Sequence, residues 1–255
     1  HKAMIYGYLE RKGWFSEKTF VYGRTRSFSL IGSSISAFAS IIFVIFFRDL
    51  SWIFLLTIIP YILNFILILS YPNYLNEKKV SDLSVLKFFK ISYVQLKGIF
   101  KSIKLLTILT SSSLFDAVFK IVKDYIQPIL ILTVTAAGFH FMKHNDDVNK
   151  NIILGTVYGL FYIFSSIASR QVYRLNKIAD SKTLMNILFD IMGFLLFLVF
   201  IFIKLDLTLL IILIFLMLYL VKNARRPLLV DVAGDMMEKQ ERATVLYIDS
   251  QLKAL

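Results

Sequence analysis

Long runs with almost no charge, among them "IFLLTIIPYILNFILIL" at 53–69, limit what this chain can become. A run of ~20 apolar residues is long enough to carry a helix across a ~30 Å hydrocarbon core. In that medium the backbone must satisfy its own polar groups, so such runs are helices. The candidate spans lie at 27–47, 51–71, 105–128, 150–169, 184–203 and 206–222, with partial helices at 1–9 and 243–255. Composition agrees, since 57% of the 255 residues are apolar and a soluble domain averages ~45–50%. The expected fold is an all-α, polytopic transmembrane helix bundle.

The formal net charge is +12. Binding to nucleic acid would need those cations clustered on one folded face. Here they sit between the apolar runs, where they act as topology signals. Segments 9–26, 73–104, 170–183 and 222–242 hold 5, 7, 4 and 5 Lys or Arg residues, while the alternate connections hold only Arg48, Lys143, Lys150 and Lys204. The positive-inside rule puts the first set in the cytoplasm. There is no cysteine, so redox compartment is not readable.

Within 73–104, Leu86, Phe89, Tyr93, Leu96, Phe100 and Ile103 recur at helical steps of three and four. Lys87, Lys90, Lys97 and Lys101 lie beside that apolar face. This is the pattern of a basic amphipathic helix on the inner membrane surface. It reads as a tether between two bundles, or as a lipid sensor or gate.

Two stretches echo one another: "KAMIYGYLE…GRTRSFSLIGSS" (2–34) and "RPLLVDVAGDMMEKQERATVLYIDS" (226–250). In each, a helix is followed by a polar turn, and an arginine (Arg26 or Arg242) opens the next helix. An even number of spans separates them, so both copies have the same orientation, as in a parallel repeat. Together with "SLFDAVFKIVKDYIQP" (113–128), these stretches resemble the major facilitator superfamily of secondary transporters. They are similar to the end of its fourth helix into the fifth, its seventh helix, and the end of its tenth into the eleventh. The resemblance implies an MFS-like fold of two pseudo-symmetric halves in a twelve-helix parent, of which this chain is an internal part. Residues 1–72 would close the first half, 73–104 would be the cytoplasmic linker, and 105–255 would form most of the second half. The superfamily's Gly-Asp-Arg-Gly-Arg loop would precede residue 1. Near its second-half counterpart, "SRQVYRLNKIADSK" (169–182), Arg170 and Arg174 remain without the glycines and the first aspartate, so no subfamily follows.

On a helical wheel Asp116, Lys120, Lys123, Asp124 and Gln127 share one face with Ser112 and Ser113, while Leu114, Val118, Ile121, Val122, Tyr125 and Ile129 cover the other. A lipid-facing Asp or Lys at mid-membrane costs ~2.5–3.5 kcal/mol. The charged face must therefore meet protein or water. Two readings fit. Asp116–Lys120 and Lys120–Asp124 are each four apart, the spacing of a self-neutralising set. Alternatively these residues form the charged wall of a substrate or ion cavity, which the resemblance implies because the family's seventh helix lines one. Pro128 is the natural place for a kink. Asp190 reads as a partner for a neighbouring helix or as a proton-coupling acid.

Arg24, Arg26, Arg226, Asp231 and Arg242, with Arg225, Asp235 and Glu241, fall at helix ends on the inner side. They read as salt bridges of a cytoplasmic gate or as simple topology markers. "GSSISAFAS" (32–40) suits close helix packing. His140 and His144 are four apart, but no motif fixes a third ligand, so no metal is expected. No HExxH, GxSxG or phosphate-cradling glycine loop appears. Neither an enzyme nor a cofactor is expected.

The function these features point to is transport of a small solute by alternating access, with proton or cation coupling, in the cytoplasmic (inner) membrane. The partners would be a small-molecule substrate and the lipid bilayer, not nucleic acid. The rivals are a membrane-embedded enzyme and a non-transporting scaffold or receptor. The topology makes a direct prediction. In intact cells, cysteines replacing Lys78, Arg174 or Lys222 should be protected from an impermeant thiol reagent, and those replacing Arg48 or Asp146 should react. The reverse pattern would invert the assignment.

Overall fold

The long apolar runs fold as helices, and several helices outlast the run that started them. The computed structural model describes residues 2–46, 51–71, 102–137, 146–237, 245 and 248–250, and no strand forms among them. The helices are α1 (Lys2–Arg11), α2 (Lys18–Phe46), α3 (Ser51–Leu69), α4 (Ile103–Ala137), α5 (Asp146–Gln171), α6 (Ser181–Lys204) and α7 (Thr208–Met236). Five of these, α2 and α4 to α7, are long and apolar enough to cross a membrane. The sixth expected span is α3, shorter at 19 residues, and each of its described side chains is exposed. A helix that is apolar all round belongs in lipid or a buried core. On the bundle itself Phe28, Phe194, Phe197 and Phe200 are 59–72% exposed. Apolar surface on that scale is a contact surface, not a wet one. The chain is an integral membrane protein.

Two helix boundaries differ from the sequence expectation. Helix α2 begins at Lys18, so Arg24 and Arg26 lie within its first turns and not ahead of it. Helix α7 does not end at Lys222 but continues through Arg225 and Arg226 to Met236, because the apolar run resumes at "PLLV". Pro227 sits inside that helix and leaves the Asn223 carbonyl without its usual donor. Spanning helices tolerate such gaps when their neighbours cover them. Helix α4 likewise continues for 35 residues with Pro128 inside it, about 52 Å at 1.5 Å per residue. The turns use residues that accept left-handed backbone, Gly13 (φ 72°) and Asp206 (φ 53°). Asp180 caps α6 by accepting from the Thr183 amide. Hydrogen bonds from Thr183, its hydroxyl first, hold the Asp180 carboxyl below its ordinary value. The linker helix expected within 73–104 falls, apart from its last residues, outside the described residues, as do His140, His144, Glu241 and Arg242.

Helix α7 is the hub, packed on α2, α4, α5 and α6, and α2 lies closely along α5. Toward one end of the bundle the core is formed by residues such as Phe119, Ile126, Phe161, Leu195 and Phe215. Toward the other end Tyr6, Tyr22, Leu105, Leu109, Val230 and Ala233 close the bundle. Tyr6 is fully buried, and its hydroxyl donates to the Val230 carbonyl. Contacts along the helices fix their directions. Ser27 meets Ser166 and Ser34 meets Gly159, so α2 and α5 are antiparallel. Lys18 meets Asp231 and Arg26 meets Asn223, so α2 and α7 are antiparallel too. Ser111 meets Arg225 and Phe119 meets Lys222, which sets α4 against α7. These directions are the ones the basic-residue alternation requires. Position 222, however, is within a helix, so a label there does not report a loop.

The α2–α5 seam depends on small residues. The Ser27 and Ser166 hydroxyls are 2.7 Å apart, the Ser34 hydroxyl donates to the Gly159 carbonyl at 2.9 Å, and the Ser169 hydroxyl donates to the Gly23 carbonyl at 3.3 Å. A Cβ on Gly23 would lie 2.6 Å from the Ser169 carbonyl oxygen, a backbone atom that cannot rotate away. Gly23→Ala should therefore destabilise the bundle by about 1–3 kcal/mol. The readout is a lower denaturation midpoint in detergent. Gly7→Ala, where no neighbour lies within 4 Å, should not lower it.

Candidate functional site

Ser29, Ser33, Ser36 and Ser40 recur at helical spacing along α2 and face Tyr158 and Tyr162 of α5 across a cavity of about 860 Å³. Ser29 also borders a second cavity, about 190 Å³, lined by Arg26 and Arg226. Arg226 in turn borders a crevice that holds Asp116, Lys222 and Arg225. Ser29 and Arg226 each border two of these spaces, so the three lie in a row, lined in turn by α2 with α5, by α1, α2 and α7, and by α4 with α7; together they are called the cleft.

The end of the cleft at Arg26 and Arg226 is strongly cationic. Arg26 donates to the Asn223 side-chain oxygen through Nε at 3.2 Å and through its terminal nitrogen at 2.8 Å. The Lys222 ammonium sits 4.2 Å from the centroid of Phe119, and the Arg225 guanidinium 4.4 Å from that of Phe115. Such contacts attract a cation through the ring's negative face without neutralising it. Arg225 also donates to Ser111 Oγ at 3.3 Å. Asp116 is close enough for its charge to act on Arg26, Lys222 and Arg225 together. The Tyr219 ring centroid lies 6.3 Å from that of Tyr158 and 6.1 Å from that of Tyr162.

The residues expected on α4 divide. Asp116 and Lys123 are half-buried, while Lys120, Asp124 and Gln127 are exposed. The ion pair that forms joins sequence neighbours, Lys123 and Asp124, at 3.6 Å. The four-apart pairs do not form, and Lys120 makes no ion pair among the described residues. Asp190 is also exposed and makes no ion pair among them. Among the expected inner arginines, Arg26 and Arg226 reach the cleft, but Arg24 lies away from it, 4.5 Å over the Phe20 ring. Arg242 lies outside the described residues. Asp231 does bridge two helices, but its cation is Lys18 of α2, at 3.2 Å, and Lys18 also holds Asp235 at 2.7 Å. The Ser181 hydroxyl donates to the same Asp231. Lys18 is only 5% exposed.

Lys18, Lys222 and Asn223 were missed by sequence reasoning, as were the serine stripe and the tyrosines. The signals existed. Asp231 and Asp235 are four apart on one helix face and needed a cation; Tyr158 and Tyr162 are four apart; the serines recur at steps of three and four. "GSSISAFAS", read as packing, serves two faces: Ser34 and Phe38 meet α5, while Gly32, Ser33, Ser36 and Ser40 line the cavity. Among the described residues no group of three His, Asp or Glu could hold a metal ion.

No protein-family model, curated protein or solved structure matches the chain. Fold and site define the class on their own: an integral membrane helix bundle with a charged cleft among its spans.

The Lys18 contact carries a prediction. Lys18→Met leaves the mostly buried Asp231 without its cation, which should cost about 3–5 kcal/mol. Adding Asp231→Asn should recover most of that loss in the same denaturation measurement, since the stranded charge is then gone. Additive losses would mean the two residues do not interact.

Proposed function

We propose that this protein is a secondary transporter of the major facilitator type in the cytoplasmic membrane. It would move a small anionic solute by alternating access, with a proton or cation as coupling ion. The observation that carries the reading is the cleft itself. Lys222 is about 21 Å along α7 from Thr208, within the reach of a bilayer core, and Arg26 meets the adjacent Asn223 of the same span. Charges at that depth mark substrate or ion pathways, and transporters keep their sites near the midplane. The asymmetry of the cleft supports the same reading. Its large cavity is flanked by the outer part of α2, whereas the inner end is closed by the Tyr6–Leu109–Val230 cluster and by Lys18 with its two aspartates. That is the form of an outward-facing state. A cleft wall with Arg26, Lys222, Arg225 and Arg226 against Asp116 suits a carboxylate or phosphate group.

The test is solute flux in proteoliposomes of the full-length protein carrying an internal pH dye. Small carboxylates and phosphate esters should drive a solute-dependent signal that neutral sugars and amines do not. Lys222→Met should reduce it at least tenfold, and Asp116→Asn should change its pH dependence. Lys120→Met asks whether the exposed part of the α4 arc belongs to the pathway; it should also reduce flux. A correctly inserted protein that moves none of these solutes returns the charges to a scaffold role.

A further inference from the structure

Across the α2–α5 seam from the serine stripe lies a separate groove of about 450 Å³, which the transport reading does not use. Its rim carries Arg24 from α2, Arg170 from α5 and Arg174 from the 3-10 segment that follows α5. No acidic residue lines it, and none of the three arginines is in an ion pair among the described residues. Arg24 and Tyr173 are both held against Phe20, at 4.5 Å and 4.9 Å, so one aromatic cluster fixes the rim. The walls are Ile31, Ile163 and Ile167, each 38–50% exposed.

Direction along the helices decides what fits. Ile31 lies seven residues beyond Arg24 on α2, and Ile163 lies seven before Arg170 on the antiparallel α5. Both isoleucines are therefore about 10 Å deeper in the membrane than the arginines. Cations at the surface above an apolar trough form a phospholipid-shaped site, with arginine heads at the phosphate and isoleucines along the acyl chain. Basic pockets between spanning helices on the cytoplasmic side select anionic head groups. The chain's own linker is a poor occupant, since 73–104 carries seven lysines and only Glu77 and Asp82 as acids.

We propose that this groove binds one anionic phospholipid of the inner leaflet, whose phosphate is shared by Arg24, Arg170 and Arg174. The lipid then spans α2 and α5 directly over the Ser27–Ser166 contact. The inference needs these helices to cross the membrane but does not need transport, so the two can fail separately.

The experiment is native mass spectrometry of the full-length protein titrated with phosphatidylglycerol or with phosphatidylcholine of the same acyl chains. The expected result is at least a tenfold preference for the anionic lipid at the first binding event. Arg24→Gln/Arg170→Gln/Arg174→Gln should bring that preference close to one. The control Lys12→Gln/Lys177→Gln/Lys182→Gln, which removes equal charge outside the groove, should keep it. The rim side chains are exposed, but if the triple variant fails to fold, Arg170→Gln alone should lower the preference several-fold. Equal binding of the two lipids by the parent protein, or an equal loss in the control, overturns the proposal. So does displacement of the lipid by millimolar glycerol phosphate, which would make the groove a site for a soluble phosphate.

Discussion

A charge inside hydrocarbon is tolerated only where protein or water surrounds it, and α7 carries Lys222, Arg225 and Arg226 within one turn. The rest of the bundle is arranged around that burden. Helix α7 takes the centre, touching four other helices, while α3 and the outer face of α6 are left to lipid. The rings of Phe115 and Phe119 on α4 are the seats for Arg225 and Lys222. Among the described residues Asp116 acts on both Lys222 and Arg225 and buried Asp249 on Arg225, fewer acids than the cations they face. Packing and charge are thus one problem in this protein, solved by giving the most polar span the most neighbours.

Helix α2 solves the complementary problem with three faces. Its small residues, Gly23, Ser27 and Ser34, let it approach α5 closely enough for hydroxyl-to-backbone hydrogen bonds. The serines at 29, 33, 36 and 40 keep a second face wet. The third face pairs Arg24 with Ile31, polar at the membrane surface and apolar below it. A bulky residue at Gly23 would separate the helices and disturb both grooves at once, because each has the seam as its floor.

The spans were legible because hydrocarbon imposes a length and a composition that few other environments demand. Their alternating directions were legible for a related reason, since basic loops are retained inside, and the antiparallel contacts of α2 with α5 and α7 agree. Helix ends were less legible. The charges at 222–226 looked like the edge of the membrane, yet cations held over aromatic rings by a neighbouring helix can stay within a span. Pairings were the least legible. Helical spacing allowed Asp116–Lys120, but side-chain exposure and the position of α7 turned Asp116 toward a different set of cations. Lys18 shows the same limit. Nothing local marks it, and its role comes from two aspartates more than two hundred residues away.

Buried Lys18 and half-buried Arg26 of α2 have different partners, and the difference matters for the transport reading. Lys18 is saturated by two carboxylates, which fixes it in place. Arg26 is held by the neutral side-chain oxygen of Asn223, which orients the guanidinium fork but leaves its charge available. On that reading an arriving anion would displace the amide and gain a charge-assisted, two-pronged contact. The gain exists only while α2 and α7 stay close enough for Arg26 and Lys222 to share the anion. A ligand shifts a conformational equilibrium only through such a difference in affinity between states. Arg26 and Asn223 therefore form the adjustable contact between the helices. On the transport reading, Lys18 with Asp231 and Asp235 is the contact that would have to break for that end of the bundle to open.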